Sequence, residues 1–149
     1  MPFEYKRIVV AMDGSEASEH AFQKAIDIAK RNDAQLFLSH VVDTRAFATV
    51  EAYDRTLADR ADEYASELLQ KCEQQAKDAG LTSVQIDIEY GSPKIKIAKE
   101  VAPQYDADLI ICGATGLNAV ERFFIGSVSE HITRSASCDV LVVRPEQDA

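Results

Sequence analysis

Near its start the chain reads Ile8-Val9-Val10-Ala11-Met12-Asp13-Gly14-Ser15, an apolar run that ends in turn residues. The run predicts a strand over residues 6–12 that is apolar on both faces, as parallel strands are when helices cover both sides of a sheet. The last three residues predict a turn, and Ser15 is well suited to cap a helix that follows it. This stretch therefore favours a sheet sandwiched between helices.

Outward from this stretch, short apolar runs alternate with longer amphipathic segments. Strands are predicted at 6–12, 35–42, 84–90, 109–112 and 140–143, and helices at 16–31, 53–79, 94–105 and 127–135. The segment 84–90 alternates apolar and polar residues, which is typical of an edge strand. Regular alternation of strand and helix predicts an α/β doubly wound parallel sheet with right-handed crossovers. We expect one domain over residues 1–149.

Composition narrows the class of protein. The 149 residues carry 16 basic and 25 acidic side chains, a formal charge of −9. That balance argues against binding to nucleic acid or to an anionic membrane, but not against a small anion held by backbone amides. The apolar runs are too short for a membrane span or a signal-peptide core. Three cysteines without CxxC spacing are expected to be reduced thiols of a cytoplasmic protein.

The last predicted strand is apolar on both faces. If Val140, Leu141, Val142 and Val143 lie at an edge of the sheet, they need cover, and a second copy of the chain is the simplest cover. We therefore predict a homodimer that pairs through these residues. An internal position for the strand, or shielding by the chain's own helices, is the alternative.

The chemistry is expected at the carboxyl ends of the first and fourth strands, where ligands bind in doubly wound sheets. The fourth strand leads into Gly113-Ala114-Thr115-Gly116, and nine residues later Gly126-Ser127 opens a helix. Glycines allow close approach of phosphate oxygens, free amides at a helix start favour an anion, and Arg122 offers a charge. The same glycines are also compatible with tight turns alone.

Residues 4–144 resemble the universal stress protein family. The resemblance rests on the opening stretch, on the spacing Gly113-x2-Gly116-x9-Gly126-Ser127, and on the ending Ser137-Cys138-Asp139-Val140-Leu141-Val142-Val143-Arg144-Pro145. The glycine spacing is similar to that of the family's ATP-binding branch. The resemblance implies a Rossmann-like sheet of order 3-2-1-4-5, akin to the adenine nucleotide alpha hydrolase fold, and a nucleotide-dependent regulatory dimer in the stress response.

The resemblance also implies roles for matching positions. Asp13 would bond the ribose hydroxyls, Val41 would offer backbone groups to the adenine edge, and magnesium would arrive with the ATP phosphates. An alternative for Asp13 is that it only braces its turn or caps the first helix. The predicted nucleotide-binding residues are Ala11, Met12, Asp13, Gly14, Ser15, Val41, Gly113, Gly116, Arg122, Gly126, Ser127 and Val128.

Several other functions remain open or are disfavoured. A P-loop NTPase would need GxxxxGK[ST], which is absent, and Arg122 is the only cation between Gly113 and Ser127. We therefore expect no catalytic residues or dedicated metal ligands, and slow ATP hydrolysis at most. The alternatives are a slow ATPase or a structural interaction module that binds no nucleotide. The sequence does not separate ATP from cyclic AMP, and it does not name a protein partner.

Overall fold

The computed structural model describes residues 4–44, 55–115 and 125–144. Within these ranges there are five strands and five α-helices, and a π-helical turn, Ile97–Val101, joins α3 to α4. The elements are β1 (Arg7–Ala11), α1 (Glu16–Asn32), β2 (Gln35–Asp43), α2 (Arg55–Asp78), β3 (Val84–Gly91), α3 (Pro93–Lys96), α4 (Ala102–Gln104), β4 (Leu109–Gly113), α5 (Ser127–Ser135) and β5 (Asp139–Val143).

The five strands form one parallel sheet in the order β3-β2-β1-β4-β5. This confirms both the doubly wound fold and the order that the resemblance implies. β3 lies at one edge, as its alternating pattern predicts, and β5 lies at the other. Because the winding direction reverses between β1 and β4, the carboxyl ends of these two strands are neighbours.

Two apolar clusters, one on each face, hold the sheet. β1 contributes to both, since Ile8 and Val10 pack with α1 and α2, while Val9 packs with α5 and the helices before β4. All three side chains are 0% exposed, which explains why the strand has no polar face. A side chain of that size contributes roughly 1.5–3 kcal/mol when it is fully buried.

The helical segment predicted at 94–105 is interrupted by the π-helical turn. In that turn the Ala102 N–H donates to the Ile97 carbonyl, five residues earlier. Pro103 follows directly; its ring crowds the carbonyl four residues before it, which is the physical reason we assign to the wider turn. Within the described residues, no helix is long and apolar enough to cross a membrane.

Candidate functional site

The turn after β1 contains Asp13, whose side chain is predicted to bind the ribose hydroxyls. The Ser15 N–H donates to Asp13 Oδ1 at 2.8 Å, and the Asp13 N–H donates to Ser18 Oγ at 3.4 Å. Between these residues, Gly14 adopts φ +83°, a left-handed conformation that favours glycine. Within the described part of the chain, Asp13 Oδ2 makes no hydrogen bond, so one carboxylate oxygen braces the turn and the other is available.

α1 and α5 both begin near the carboxyl ends of β1 and β4, but their N-termini are capped differently. α1 is capped by its own side chains, as predicted for Ser15: the Ser18 N–H donates to Ser15 Oγ at 3.1 Å, and the Ser18 hydroxyl donates to the Ser15 carbonyl at 3.0 Å. α5 begins after Gly126, which has no side chain to cap it. The orphan amides in the first turn of α5 therefore lack the cap that those of α1 have.

α5 is fastened to the residue that follows β4. The Gly126 N–H donates to the Ala114 carbonyl at 2.7 Å, and the Ser129 hydroxyl donates to the same carbonyl at 2.9 Å. Ser129 is 3% exposed, whereas Ser127, at the first helical position, is exposed. These bonds bring the uncapped helix start next to the carboxyl end of β4, beside the end of β1.

Gly113 has a packing reason that is independent of any ligand. A Cβ at this position would lie 2.7 Å from the Ala17 carbonyl carbon and from Ala17 Cβ, and 2.8 Å from Ser18 N. β4 can thus approach the first turn of α1 only if residue 113 has no side chain. Of the glycines in the predicted phosphate loop, this one is explained by packing alone.

The remaining predicted site residues fall into three groups. Met12 and Val41 are buried, at 3% and 7% exposure, on opposite faces of the sheet. Ala11 and Val128 are half-buried and pack against the apolar cluster on the face of the sheet that α5 covers. Gly116 and Arg122 lie outside the described residues.

Two residues that the sequence analysis does not single out lie at the turn after β1. His40 Nδ1 is 2.7 Å from the Met12 carbonyl, and the Tyr64 hydroxyl donates to the Asp13 carbonyl at 3.4 Å. The two rings meet edge to face, with centroids 5.9 Å apart. His40 lies inside β2 and Tyr64 lies on the apolar stripe of α2, so nothing in their local patterns distinguishes them from structural residues.

Burial and charge raise the pKa of two groups near Asp13, Cys112 and Tyr64. Burial, with a smaller contribution from the Asp13 charge, raises the pKa of the Cys112 thiol to about 12. The same two causes, in the same order, raise the pKa of the Tyr64 phenol. Both groups stay neutral at physiological pH, so Cys112 is not poised as a nucleophile.

One cavity lies at the opposite, amino end of the sheet. It has a volume of about 490 Å³ and is lined by Glu4, Tyr5, Ala107, Asp108, Ser137, Cys138 and Asp139. Its carboxylates have structural partners: Asp108 accepts the Lys6 and Arg7 amides, and Asp139 accepts the Tyr5 hydroxyl. In the described residues, no group of three or more His, Cys, Asp or Glu is placed to hold a metal ion.

Comparison with known proteins agrees with the fold. Residues 4–144 match the model of the family described as "Universal stress protein family". A Staphylococcus haemolyticus protein that carries the family's name is 49% identical over 143 residues, which is 96% of this chain and 87% of that protein.

Two solved structures are similar over nearly their whole length. Universal stress protein UspA from Lactobacillus plantarum is 33% identical with a TM-score of 0.85, and the match covers 96% of this chain and 100% of that one. A universal stress protein in complex with cAMP is 26% identical with a TM-score of 0.71, covering 96% and 99%.

Proposed function

The chain belongs to the universal stress protein family, and we propose that it is a cytoplasmic, dimeric regulator that binds ATP with magnesium. One observation carries the proposal. The turn after β1 offers a carboxylate with one oxygen available, and the end of β4 beside it carries a helix start without a side-chain cap. A carboxylate suits ribose hydroxyls, and free helix amides suit phosphates.

The nucleoside end of the ligand is assigned to β1 and β2. Asp13 accepts the ribose hydroxyls, the Val41 backbone meets the adenine edge, and Ala11, Met12, Gly14 and Ser15 surround them. The similar structure in complex with cAMP supports this half of the proposal, because cAMP and ATP share the adenosine moiety.

The phosphate end is assigned to the start of α5. Ser127 and Val128 supply first-turn amides, the Ser127 hydroxyl adds a donor, and Gly126 leaves room for the phosphate oxygens. Gly113, Gly116 and Arg122 complete the proposed loop. Magnesium would be held by the phosphates themselves, as hard cations prefer oxygen ligands.

A pair of substitutions at Ser127 tests the phosphate end. Proline is tolerated at a first helical position, and Gly126 already has the extended conformation, φ −65° and ψ 159°, that a residue before proline favours. Ser127→Pro removes the amide hydrogen as well as the hydroxyl, whereas Ser127→Ala removes the hydroxyl alone.

We expect Ser127→Pro to weaken ATP binding by about tenfold or more, since a hydrogen bond to a charged group contributes roughly 1.5–3 kcal/mol. Ser127→Ala should have a smaller effect, and neither variant should change the affinity for adenosine. Calorimetric titrations of wild type and both variants with ATP and with adenosine measure these affinities. Equal ATP affinity in Ser127→Pro and wild type would contradict the assignment of phosphates to α5.

A further inference from the structure

Tyr64 is an aromatic residue in an unusual position. Among the described large hydrophobic residues it is one of three that are exposed, with 45% of its surface accessible. Its hydroxyl nevertheless reaches the turn after β1, where it lies 3.4 Å from the Asp13 carbonyl oxygen. A Cβ on Gly14 would stand 1.7 Å from the same hydroxyl, so the ring occupies space that any larger residue at position 14 would need.

His40 holds this ring from the side of β2. A carbonyl oxygen only accepts, so the 2.7 Å contact of His40 Nδ1 with the Met12 carbonyl means that Nδ1 carries the hydrogen. The same imidazole meets the Tyr64 ring edge to face, at an interplanar angle of 69°. The Tyr64 hydroxyl thus lies against Asp13 and Gly14, and its ring contacts His40, which is itself bonded to the Met12 carbonyl.

The Tyr64 ring keeps accessible surface, and its hydroxyl end lies next to Asp13. A tyrosine of the core would have both ring faces buried. A tyrosine that served only the packing of α2 would not need to place its hydroxyl against a glycine turn. An apolar wall next to a carboxylate lowers the local dielectric and strengthens the hydrogen bonds that the carboxylate makes. A sugar and base bound at Asp13 would lie against such a wall.

We propose that Tyr64 is a further nucleotide-positioning residue, which forms the α2-side wall of the nucleoside pocket and holds the Asp13 main chain in place. The inference rests on the proposed function, because it needs a nucleoside at Asp13. It adds α2 to a site otherwise built from the ends of β1, β2 and β4 and the start of α5. It also identifies the part of the ligand that Tyr64 contacts, the ribose and base rather than the phosphates.

The position of Tyr64 predicts a specific binding pattern. Tyr64→Ala should weaken the binding of adenosine, AMP and ATP by the same factor. That factor is about two- to twelvefold, the range for an aromatic contact. The gain in affinity from each added phosphate should be unchanged. Tyr64→Phe keeps the wall and loses the hydroxyl, so it should lie between wild type and Tyr64→Ala.

Tyr90 provides a matched control. It is 51% exposed, and its hydroxyl donates to Asp62 of α2 at 2.8 Å, but it belongs to β3, two strands away from β1. Tyr90→Ala should leave all three affinities at their wild-type values. Calorimetry with the three ligands, and thermal unfolding of each ligand-free variant, complete the measurement.

The outcomes separate this inference from the proposed function. If wild type binds and Tyr64→Ala does not differ from it, the role of Tyr64 is refuted and the proposed function stands. An effect on ATP without one on adenosine also refutes it. If wild type binds none of the three ligands, the proposed function and this inference fail together. Should Tyr64→Ala unfold, Tyr64→Leu replaces it, because leucine preserves apolar bulk at a helical position and loses the flat ring.

A double-mutant cycle tests whether Tyr64 acts through Asp13. If the tyrosine positions the carboxylate, Tyr64→Ala should cost less in adenosine affinity when Asp13→Asn is already present. A merely structural tyrosine would give additive effects. Additivity together with equal losses for all three ligands would leave the wall but remove the positioning role.

Discussion

Asp13→Asn is the substitution that best separates the two roles of this side chain. The carboxylate braces its own turn through the 2.8 Å bond from the Ser15 N–H, and it is proposed to accept ribose hydroxyls. Asparagine has the same shape and keeps a carbonyl oxygen for the Ser15 amide. Asp13→Ala loses both the brace and the ribose acceptor.

The expected magnitudes follow from these bonds. A charge-assisted hydrogen bond is about twice as strong as a neutral one, so Asp13→Asn should retain part of the binding and lose about tenfold in affinity. Asp13→Ala should lose roughly 1–3 kcal/mol of binding, about 5- to 150-fold. Loss of the turn brace should also lower the free energy of unfolding of Asp13→Ala, but not of Asp13→Asn, by about 1 kcal/mol.

Net charge has to be controlled in this experiment. The chain carries a formal charge of −9, and removal of any carboxylate favours an anionic ligand. Asp27→Asn is the matched control. Asp27 is an exposed residue that pairs with Arg31, and both lie in the half of α1 that is remote from Asp13. Adenosine, which is neutral, is the cleaner probe of the ribose contact.

Calorimetric titration with adenosine and ATP, and chemical unfolding of the same samples, give both quantities. Wild-type adenosine affinity in Asp13→Asn, with reduced stability in Asp13→Ala, would show that Asp13 only braces its turn. That result would refute its role as ribose reader.

Three other results are expected. Gly113→Ala should destabilise the fold by about 1–3 kcal/mol without a ligand present, because the new methyl group would meet backbone atoms of α1 that cannot swing aside; unchanged thermal unfolding would contradict this. Burial and the neighbouring Asp87 raise the pKa of Glu89, so the folded chain binds that proton more tightly than the unfolded chain, and stability from this group is lost as pH rises above about 4. The melting temperature of Glu89→Gln relative to wild type should therefore rise between pH 4 and pH 7, and a constant difference would count against it. Sedimentation at micromolar concentration should give the mass of a dimer, which we predict to form through residues 140–143, and a monomer would exclude that prediction.

The sheet was predictable from sequence because its signals are local. The apolar run at Ile8, Val9 and Val10 predicts a strand covered on both faces, and all three side chains are fully buried. Ser15 was predictable as a helix cap from its residue type and place. Such features depend on neighbours a few positions away, which a pattern of residues records directly.

Other features depend on distant contacts and could not be predicted. The polar face of β3 predicts an edge strand, yet Asp87 on that face is only 7% exposed. Its carboxylate accepts hydrogen bonds from the Ser39 hydroxyl of β2 at 3.1 Å and from the Tyr105 hydroxyl at 2.6 Å. Periodicity shows that a residue is polar, not what will cover it. Only the fold brings those hydroxyls to the carboxylate.

The candidate site was predicted in part for the same reason. Residue type and spacing pointed to Asp13 and to the helix start at Gly126. The contact of Tyr64 with the turn after β1 spans 51 positions, and Gly113 owes its lack of a side chain to α1, almost a hundred residues earlier. Neither relation leaves a mark in the local sequence.

The central claim is that the chain binds ATP at the reversal point of the sheet. Its most direct test is calorimetric titration of nucleotide-stripped protein with ATP and magnesium, with cyclic AMP as the comparison ligand and ADP assayed in the same sample. We predict micromolar ATP binding without ADP production. If no adenine nucleotide produces either heat or a thermal shift, that result contradicts the claim. It would favour an interaction module that binds no nucleotide.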